Sequence, residues 1–230
     1  MDIILNIETS SDMCSVALTS GGGVLFEKRE EEAMNHAIVL APFIEECMNY
    51  LKNHDQELSA VAVSIGPGSY TGLRIGLSTA KGICFGKNIP LIGISTLEIM
   101  AVSAMFRKYD WEGDELLVPM LDARRMEVYT GVYDFAMNAI EPPHPLILTE
   151  ESFKEYLNKG KVYFMGNGSK KAMEIIKSPN AMYMNRIVPN AIDMMALSER
   201  AFRDKKFMDL AYSVPEYLKE FQTTIPKNKI

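Results

Sequence analysis

The chain has 230 residues, of which 47% are hydrophobic and 23% charged, and its formal net charge is −6. This composition is typical of a soluble globular protein with one large domain or two small lobes, and the acidic balance argues against a chain that binds RNA strongly by itself. The sequence has no signal-peptide pattern and no uncharged apolar run of about 18 residues. We therefore expect a cytoplasmic protein without a membrane span.

The first half of the chain predicts a mixed sheet with helices on its faces. Three short strands open it, at 3–7, 15–19 and 24–28, and are close enough in sequence to form an antiparallel meander. A helix over 36–52, a buried strand over 60–65, a helix over 72–86, a strand over 89–94 and a helix over 96–107 follow. Strands and helices that alternate in this way predict an α/β fold.

The second half predicts a smaller and less regular lobe. The polar stretch 111–115 suggests a boundary, so we divide the chain into lobes 1–110 and 111–230. The predicted strands are 116–121, 126–133 and 162–165, and the predicted helices are 150–158, 169–177 and 191–204. The proline-rich stretch 141–145 predicts a loop.

A glycine-rich loop follows the strand 60–65 and is the most specific motif of the chain. It reads Gly66, Pro67, Gly68, Ser69, Tyr70, Thr71, and the helix after it continues with Gly72-Leu-Arg74-Ile-Gly76. Proline and glycine here predict a tight turn, after which Ser69 or Thr71 can cap the helix. The spacing fits neither the phosphate loop of nucleotide hydrolases nor the dinucleotide-binding fingerprint.

Small residues share one side of the predicted helix 72–86. Gly72, Gly76, Thr79, Gly82 and Gly86 fall within an arc of about 120°. Each interior glycine weakens a helix by about 1 kcal/mol relative to alanine, so several on one side suggest that another backbone lies very close. Arg74 points the opposite way, toward solvent or a partner.

The string from Gly66 to Gly76 resembles the hallmark of TsaB (YeaZ), a family of bacterial tRNA threonylcarbamoyladenosine biosynthesis proteins. Weaker matches follow the family along nearly the whole chain, at 7–10, 14–18, 122–125, 127–129, 166–168 and 215–218. The resemblance implies a two-lobed, actin-like ATPase fold with ribonuclease-H-like sheets. It also implies a role in modifying adenosine 37 of tRNA.

The resemblance implies that this chain is a non-catalytic scaffold. The catalytic step would belong to a paralogue, TsaD, and the P-loop ATPase TsaE would join the complex. ATP and a metal ion are then expected on these partners, and tRNA would be bound only through the complex. In isolation the chain is expected to form a homodimer through the same surface.

Two enzyme functions are weaker alternatives. A metallopeptidase would need metal ligands, but the three histidines are dispersed and are expected to be surface residues. When TsaD is aligned with this chain on the strand at 89–94, its two metal-binding histidines correspond to Thr96 and Met100. A hydroxyl and a thioether are a poor pair of ligands for a divalent metal ion.

An actin-like phosphotransferase is the other alternative, because nucleotide loops could include Thr9, Ser10, Gly166 and Gly168. No glycine in 8–11 would let a phosphate approach the backbone, and a lone G-x-G at 166–168 is typical of an ordinary helix entry. Asp122 and Arg124 are expected to form a turn with local ion pairing.

The predicted helix 36–52 is apolar over about 200° of its surface, more than one-sided packing on a sheet requires. Its second apolar stripe comprises Val39, Phe43, Cys47 and Tyr50. This stripe is covered either by the second lobe or by another protein. The candidate partner interface consists of these four residues together with Gly72, Arg74 and Gly76.

Overall fold

The structure is a computed structural model that describes residues 2–31 and 35–219. The outer ends of the two predicted lobes, residue 1 and residues 220–230, lie outside this range. Two five-stranded sheets form the framework, and each has helices packed on it. None of the helices in the described ranges is long and apolar enough to cross a bilayer.

The first sheet has the strand order β3-β2-β1-β4-β5. Its strands are β1 (Ile4–Glu8), β2 (Cys14–Ser20), β3 (Gly23–Glu30), β4 (Ala60–Gly66) and β5 (Leu91–Ser95). The helices of this half are α1 (His36–Asn53), α2 (Tyr70–Lys87) and α3 (Thr96–Arg107). Strand β1 pairs antiparallel with β2 and parallel with β4, so the sheet is mixed as predicted.

The second sheet has the order β10-β9-β6-β7-β8. Its strands are β6 (Leu116–Asp122), β7 (Glu127–Tyr133), β8 (Ala139–Ile147), β9 (Val162–Met165) and β10 (Ala181–Met184). The remaining helices are α4 (Lys154–Leu157), α5 (Ser169–Ile175) and α6 (Met195–Arg203), the last preceded by a 3₁₀ turn (Ala191–Met194).

The two sheets have the same topology. Each begins with a central strand that pairs antiparallel with the next strand and parallel with the fourth. This duplicated arrangement is the ribonuclease-H-like architecture of a two-lobed, actin-like fold, so the predicted fold class is confirmed.

Alternate residues of the first sheet contact different helices. Strand residues such as Leu5 and Val61 pack with α1 and α2, whereas their neighbours Ile4 and Ala60 pack with α3 and α6. Helix α3 also contacts the second sheet through Leu97, Met100 and Ala104. It therefore lies between the two sheets and joins their cores.

Several sequence predictions are corrected by the structure. The stretch 141–145 is part of strand β8, because prolines are tolerated in a strand at the edge of a sheet. His144 therefore lies in a strand, strand β10 was missed, and α4 is shorter than 150–158. The predicted division into lobes 1–110 and 111–230 stays a prediction. Helix α6 and the turn before it belong to the predicted second lobe, and their residues Met194, Leu197 and Ala201 pack on the first sheet.

Candidate functional site at the cleft between the lobes

The glycine-rich loop connects β4 to α2 and brings the chain close to its own strand ends. The peptide bond between Gly66 and Pro67 is cis, and Gly66 has a φ of 122°, which favours glycine. The hydroxyl of Ser69 accepts a hydrogen bond from the backbone N–H of Gly72 at 3.2 Å, so Ser69 is the N-cap of α2.

Three glycines of this motif lie against the turn after β1. A Cβ atom on Gly68 would overlap the carbonyl oxygen of Ser10, and one on Gly72 or Gly76 would overlap Thr9. The close approach is reinforced by two hydrogen bonds: Ser69 N–H donates to the Ser10 carbonyl at 2.7 Å, and the Thr9 hydroxyl donates to the Gly72 carbonyl at 2.8 Å. The prediction of a close backbone is confirmed at Gly72, where the backbone belongs to this chain, whereas the atoms closest to Gly76 belong to the side chains of Thr9 and Val63.

The remaining glycines of the stripe behave differently. Gly82 and Gly86 face open space, with no atom within 4 Å of an added Cβ. Gly72 and Gly76 are buried, so neither presents surface to a partner.

A segment that we call the C-terminal strap (208–219) covers the glycine-rich motif. Glu216 N–H donates to the Ile65 carbonyl at 2.8 Å, and the Glu216 carbonyl lies 2.7 Å from where a Cβ atom on Gly66 would be. Arg74 Nε donates to the hydroxyl of Tyr217 at 3.0 Å, and its guanidinium lies 4.1 Å from the ring centre of Tyr70. The motif at 215–218 thus contacts the hallmark string directly.

Glu8 lies under the turn between β1 and β2. Its side chain is completely buried, and Oε1 accepts a hydrogen bond from the backbone N–H of Ser10 at 2.5 Å. Burial raises the pKa of this carboxyl to about 7, against the opposing hydrogen bonds from Ser10 and Ser64. The N–H of Ser10, which a nucleotide-binding loop would point at a phosphate, donates instead to the Glu8 carboxyl.

The corresponding loop of the second lobe, 166–168, is also used for packing. A Cβ atom on Gly166 would overlap the Met120 carbonyl, and one on Gly168 would lie 3.0 Å from the carbonyl carbon of Leu121. Asn167 Oδ1 accepts a hydrogen bond from Asp122 N–H at 2.8 Å. This loop therefore holds the end of β6 in place.

Asp122 belongs to a small polar cluster at the same place. Its Oδ1 accepts hydrogen bonds from the backbone N–H of Arg124 at 2.7 Å and from Lys171 Nζ at 2.9 Å. Partial burial opposes these bonds, but together with the charge of Lys171 they lower the pKa of Asp122 below its ordinary value. The predicted turn is present, and the cation that pairs with Asp122 is Lys171, not Arg124.

A cleft of about 780 Å³ separates the two loops. Ser10 and Ser69 line it from the first lobe, and Asp122 and Asn167 line it from the second. Cationic and anionic side chains are mixed in its wall: Arg29, Arg107, Arg186, Asp12, Glu31 and Asp122. Residues of five of the motifs that carry the family resemblance line this cleft, namely Ser10, Ser69, Asp122, Tyr129 and Asn167.

The chemistry available in the cleft is limited. Within residues 2–31 and 35–219, no three His, Cys, Asp or Glu side chains lie close enough together to hold a metal ion. Thr96 and Met100 are buried in α3, and Met100 contacts the position of Gly166. His36 is a buried residue whose Nε2 lies 2.9 Å from the Ser11 carbonyl, which corrects its interpretation as a surface residue.

The second apolar stripe of α1 is partly covered by the chain itself. Cys47 is fully buried, while Val39, Phe43 and Tyr50 are half-buried against the core of the first sheet. Cys47 therefore has no surface to offer a partner. The exposed apolar residues of the two helices include Ile38, at 68% exposure, and Phe85, at 81%.

Sequence reasoning missed several residues of the site. The roles of Asn167 and Lys171 depend on contacts with Asp122, which is 45 and 49 residues away in the sequence, and the sequence carries no local signal for them. Lys219 pairs with Glu127, and Lys81 Nζ donates to the carbonyls of Ala211 and Ser213 at 3.1 Å each. These two lysines fix the C-terminal strap.

Comparison with known proteins gives a consistent result. A family model described as TsaD, tRNA N6-adenosine threonylcarbamoyltransferase, matches residues 17–227. The tRNA threonylcarbamoyladenosine biosynthesis protein TsaB of Bacillus subtilis is 31% identical over 94% of this chain and 93% of its own length. TsaB of Escherichia coli is 30% identical over 94% of both chains. The solved structure of YeaZ from Pseudomonas aeruginosa is 25% identical and has a TM-score of 0.77 over 95% of this chain and 100% of that one.

Proposed function

The chain belongs to the TsaB family of tRNA threonylcarbamoyladenosine biosynthesis proteins, and we propose that it is a non-catalytic scaffold that binds and activates TsaD. Membership of the family places the chain in the biosynthesis of threonylcarbamoyladenosine in tRNA. The scaffold role, the partners and the surface they use are our inference.

One observation carries the proposal: the loops that would hold a nucleotide in an actin-like enzyme are occupied by contacts within the chain. The N–H of Ser10 donates to the Glu8 carboxylate, and that of Ser69 donates to the Ser10 carbonyl. A phosphate at this point would have to displace the buried Glu8 carboxyl from the N–H of Ser10. The glycines at 166 and 168 allow close packing on β6, so neither of these two described loops is free to bind a phosphate.

The surface formed by α1 and α2 is the candidate site for TsaD. Ile38 of α1 and Phe85 of α2 are largely exposed, and Val39, Phe43 and Tyr50 of α1 are half-buried against the core of the first sheet. Large exposed apolar side chains on neighbouring helices are typical of a protein interface. In this proposal TsaE, ATP, a metal ion and tRNA are bound through the assembled complex, and the isolated chain forms a homodimer through the same surface.

Co-elution with purified TsaD in size-exclusion chromatography tests the interface. Val39 and Phe43 contribute to the core, so Ile38→Glu and Phe85→Glu are better probes because both side chains are exposed. We expect each to abolish co-elution, and Tyr109→Glu, at a side chain that is 95% exposed elsewhere, to leave it unchanged. Unchanged binding by both probes would reject this interface.

Calorimetry with ATP and Mg²⁺ tests the non-catalytic role separately. The isolated chain is expected to show no binding in the low-micromolar range. Low-micromolar affinity would favour the alternative, an actin-like phosphotransferase, whatever the result with TsaD.

A further inference from the structure

The C-terminal strap follows one side of helix α2. Lys81 Nζ donates to the first and last carbonyls of 211–213, and Arg74 Nε donates to the hydroxyl of Tyr217. The strap therefore runs antiparallel to α2, toward the N-terminus of the helix. Phe85 is four residues after Lys81 and on the same side of α2, so the first half of the strap lies beside the exposed end of the candidate TsaD surface.

This first half contains a turn that is held by hydrogen bonds on both sides. Asp209 Oδ1 accepts the backbone N–H groups of Ala211 and Tyr212 at 2.8 Å each. The Asp209 carbonyl accepts the N–H of Ser213 at 3.1 Å. Lys81 Nζ donates to the carbonyls on either side of Tyr212 at 3.1 Å each. Together these contacts fix the backbone at Tyr212.

The apolar side chains of the turn point to solvent. Tyr212 is 85% exposed and Val214 is 67% exposed, so a large apolar surface is carried by a backbone that is already ordered. Binding to such a surface costs less conformational entropy than binding to a flexible segment. Tyrosine is also among the residues that contribute most to the affinity of protein interfaces.

An open strap would present a different surface. Arg74, Ser78 and Lys81 follow one another at helical spacing on the outer side of α2, and all three are polar. The closed strap engages Arg74 and Lys81 and adds the apolar side chains of its turn. It thereby extends the exposed apolar surface of Phe85 toward the N-terminus of α2.

We propose that the closed C-terminal strap is part of the TsaD-binding surface, and that Tyr212 and Val214 contact TsaD. This rests on the proposed function, because the strap is joined to the α1–α2 surface through helix α2. TsaD then binds the chain with its strap closed, and opening of the strap weakens the complex. The strap in this way regulates the same site.

Chymotrypsin cleavage of the unchanged full chain tests this directly. The protease cleaves after aromatic residues, and both Tyr212 and Tyr109 are largely exposed. Saturating purified TsaD should slow cleavage after Tyr212 by about tenfold or more, because cleavage follows the population of the accessible segment. Cleavage after Tyr109, in the connection from α3 to β6, should keep its rate and serves as the control within the same chain.

Calorimetry with TsaD measures the contribution of the turn. The affinity of the Tyr212→Ala chain should be lower by about tenfold or more. Tyr109→Ala is the matched control, because it removes an exposed tyrosine elsewhere, and its affinity should stay within about twofold of the unchanged chain. Both variants should keep the thermal unfolding midpoint. If Tyr212→Ala fails to fold, cleavage of the unchanged chain decides the result.

Three results would overturn the proposal. One is a rate of cleavage after Tyr212 that TsaD leaves unchanged. Another is faster cleavage in the presence of TsaD, which would mean that TsaD displaces the strap. The third is self-association in sedimentation that Tyr212→Ala removes while the affinity for TsaD stays unchanged, which would make a second copy of this chain the occupant.

The proposed function has a separate test. If Phe85→Glu abolishes co-elution with TsaD but any of these three results is found, the α1–α2 surface stands and the strap lies outside it. If Ile38→Glu and Phe85→Glu both leave co-elution unchanged, the α1–α2 surface itself is rejected.

Discussion

Gly72 and Thr9 hold α2 against the end of β1. The Thr9 hydroxyl donates to the Gly72 carbonyl at 2.8 Å, and a Cβ atom on Gly72 would overlap the carbonyl oxygen of Thr9. Backbone atoms on both sides leave little room for adjustment. We expect Gly72→Ala to lower the free energy of unfolding by roughly 2–4 kcal/mol, measured by urea denaturation.

Gly82→Ala is the matched control in the same helix. No atom lies within 4 Å of a Cβ at that position, and alanine favours the helix over glycine. The free energy of unfolding of this variant should be about 0.5–1 kcal/mol higher than that of the unchanged chain. If Gly72→Ala and Gly82→Ala lowered the free energy of unfolding equally, the contact with Thr9 would not be the cause of the loss.

The same two glycines show how much the sequence could predict. Periodicity correctly placed Gly72, Gly76, Gly82 and Gly86 on one side of a helix. It could not tell which part of that side would meet β1, because the contact depends on how α2 lies across the sheet. Only Gly72 and Gly76, in the first half of the stripe, contact Thr9 at the end of β1. Both are buried within the chain, although the sequence predicted them at a partner interface.

Glu8→Gln should remove a pH dependence of stability. The pKa of Glu8 is raised from 4.5 to about 7 by burial, so the folded chain retains a proton that the unfolded chain releases. The free energy of unfolding should therefore fall as the pH rises from 4.5 to 7, by roughly 3 kcal/mol from this group. The substituted glutamine keeps an acceptor for Ser10 N–H, so the variant should match the unchanged chain at pH 4 and exceed it at pH 8.

Urea denaturation at several pH values measures this difference. Glu45→Gln, on the exposed side of α1, controls for the loss of a carboxylate. Cys14 is the titratable neighbour that interacts with Glu8, and its own pKa of about 12 keeps it neutral over this range. A Glu8→Gln chain that is equally destabilised at pH 4 and pH 8 would contradict the assignment.

Lys81→Met should loosen the C-terminal strap. Lys81 Nζ donates to the Ala211 and Ser213 carbonyls at 3.1 Å each, and each such bond contributes about 1 kcal/mol. Proteolytic cleavage within 209–214 should accelerate by roughly tenfold, because it follows the population of the open segment. Lys87→Met, at the exposed end of the same helix, should leave the rate unchanged.

The positions of the C-terminal strap and of helix α6 on the first lobe could not be predicted from the sequence. The local pattern over 191–204 predicts the helix, but its return to the first sheet depends on long-range packing of Leu197 and Ala201. Strand β8 was missed for a different reason. Its prolines predicted a loop. An edge strand such as β8 accepts prolines because it has no neighbouring strand on one side, so the missing N–H groups on that side break no hydrogen bond of the sheet.

Lys171→Met should raise the pKa of Asp122 toward its ordinary value. Partial burial favours the neutral carboxyl, and the lowered pKa depends on hydrogen bonds from Lys171 Nζ and Arg124 N–H and on the charge of Lys171. Carboxyl ¹³C NMR across an acid titration measures the change. Lys170→Met, an exposed neighbour, should have no comparable effect, and a shift of equal size in both variants would exclude a specific pair.

All three thiols should be protected in the folded chain. Cys14, Cys47 and Cys84 are fully buried, and burial raises their pKa values to about 12, 12 and 11. Thiolate is the reactive form, so at pH 8 a disulfide reagent such as DTNB should label no cysteine rapidly, and three should react after denaturation. Ser78→Cys, at an exposed site on α2, should add one fast thiol. Rapid labelling of Cys47 would mean that α1 separates from the sheet in solution, and the apolar stripe of that helix would then be available to a partner after all.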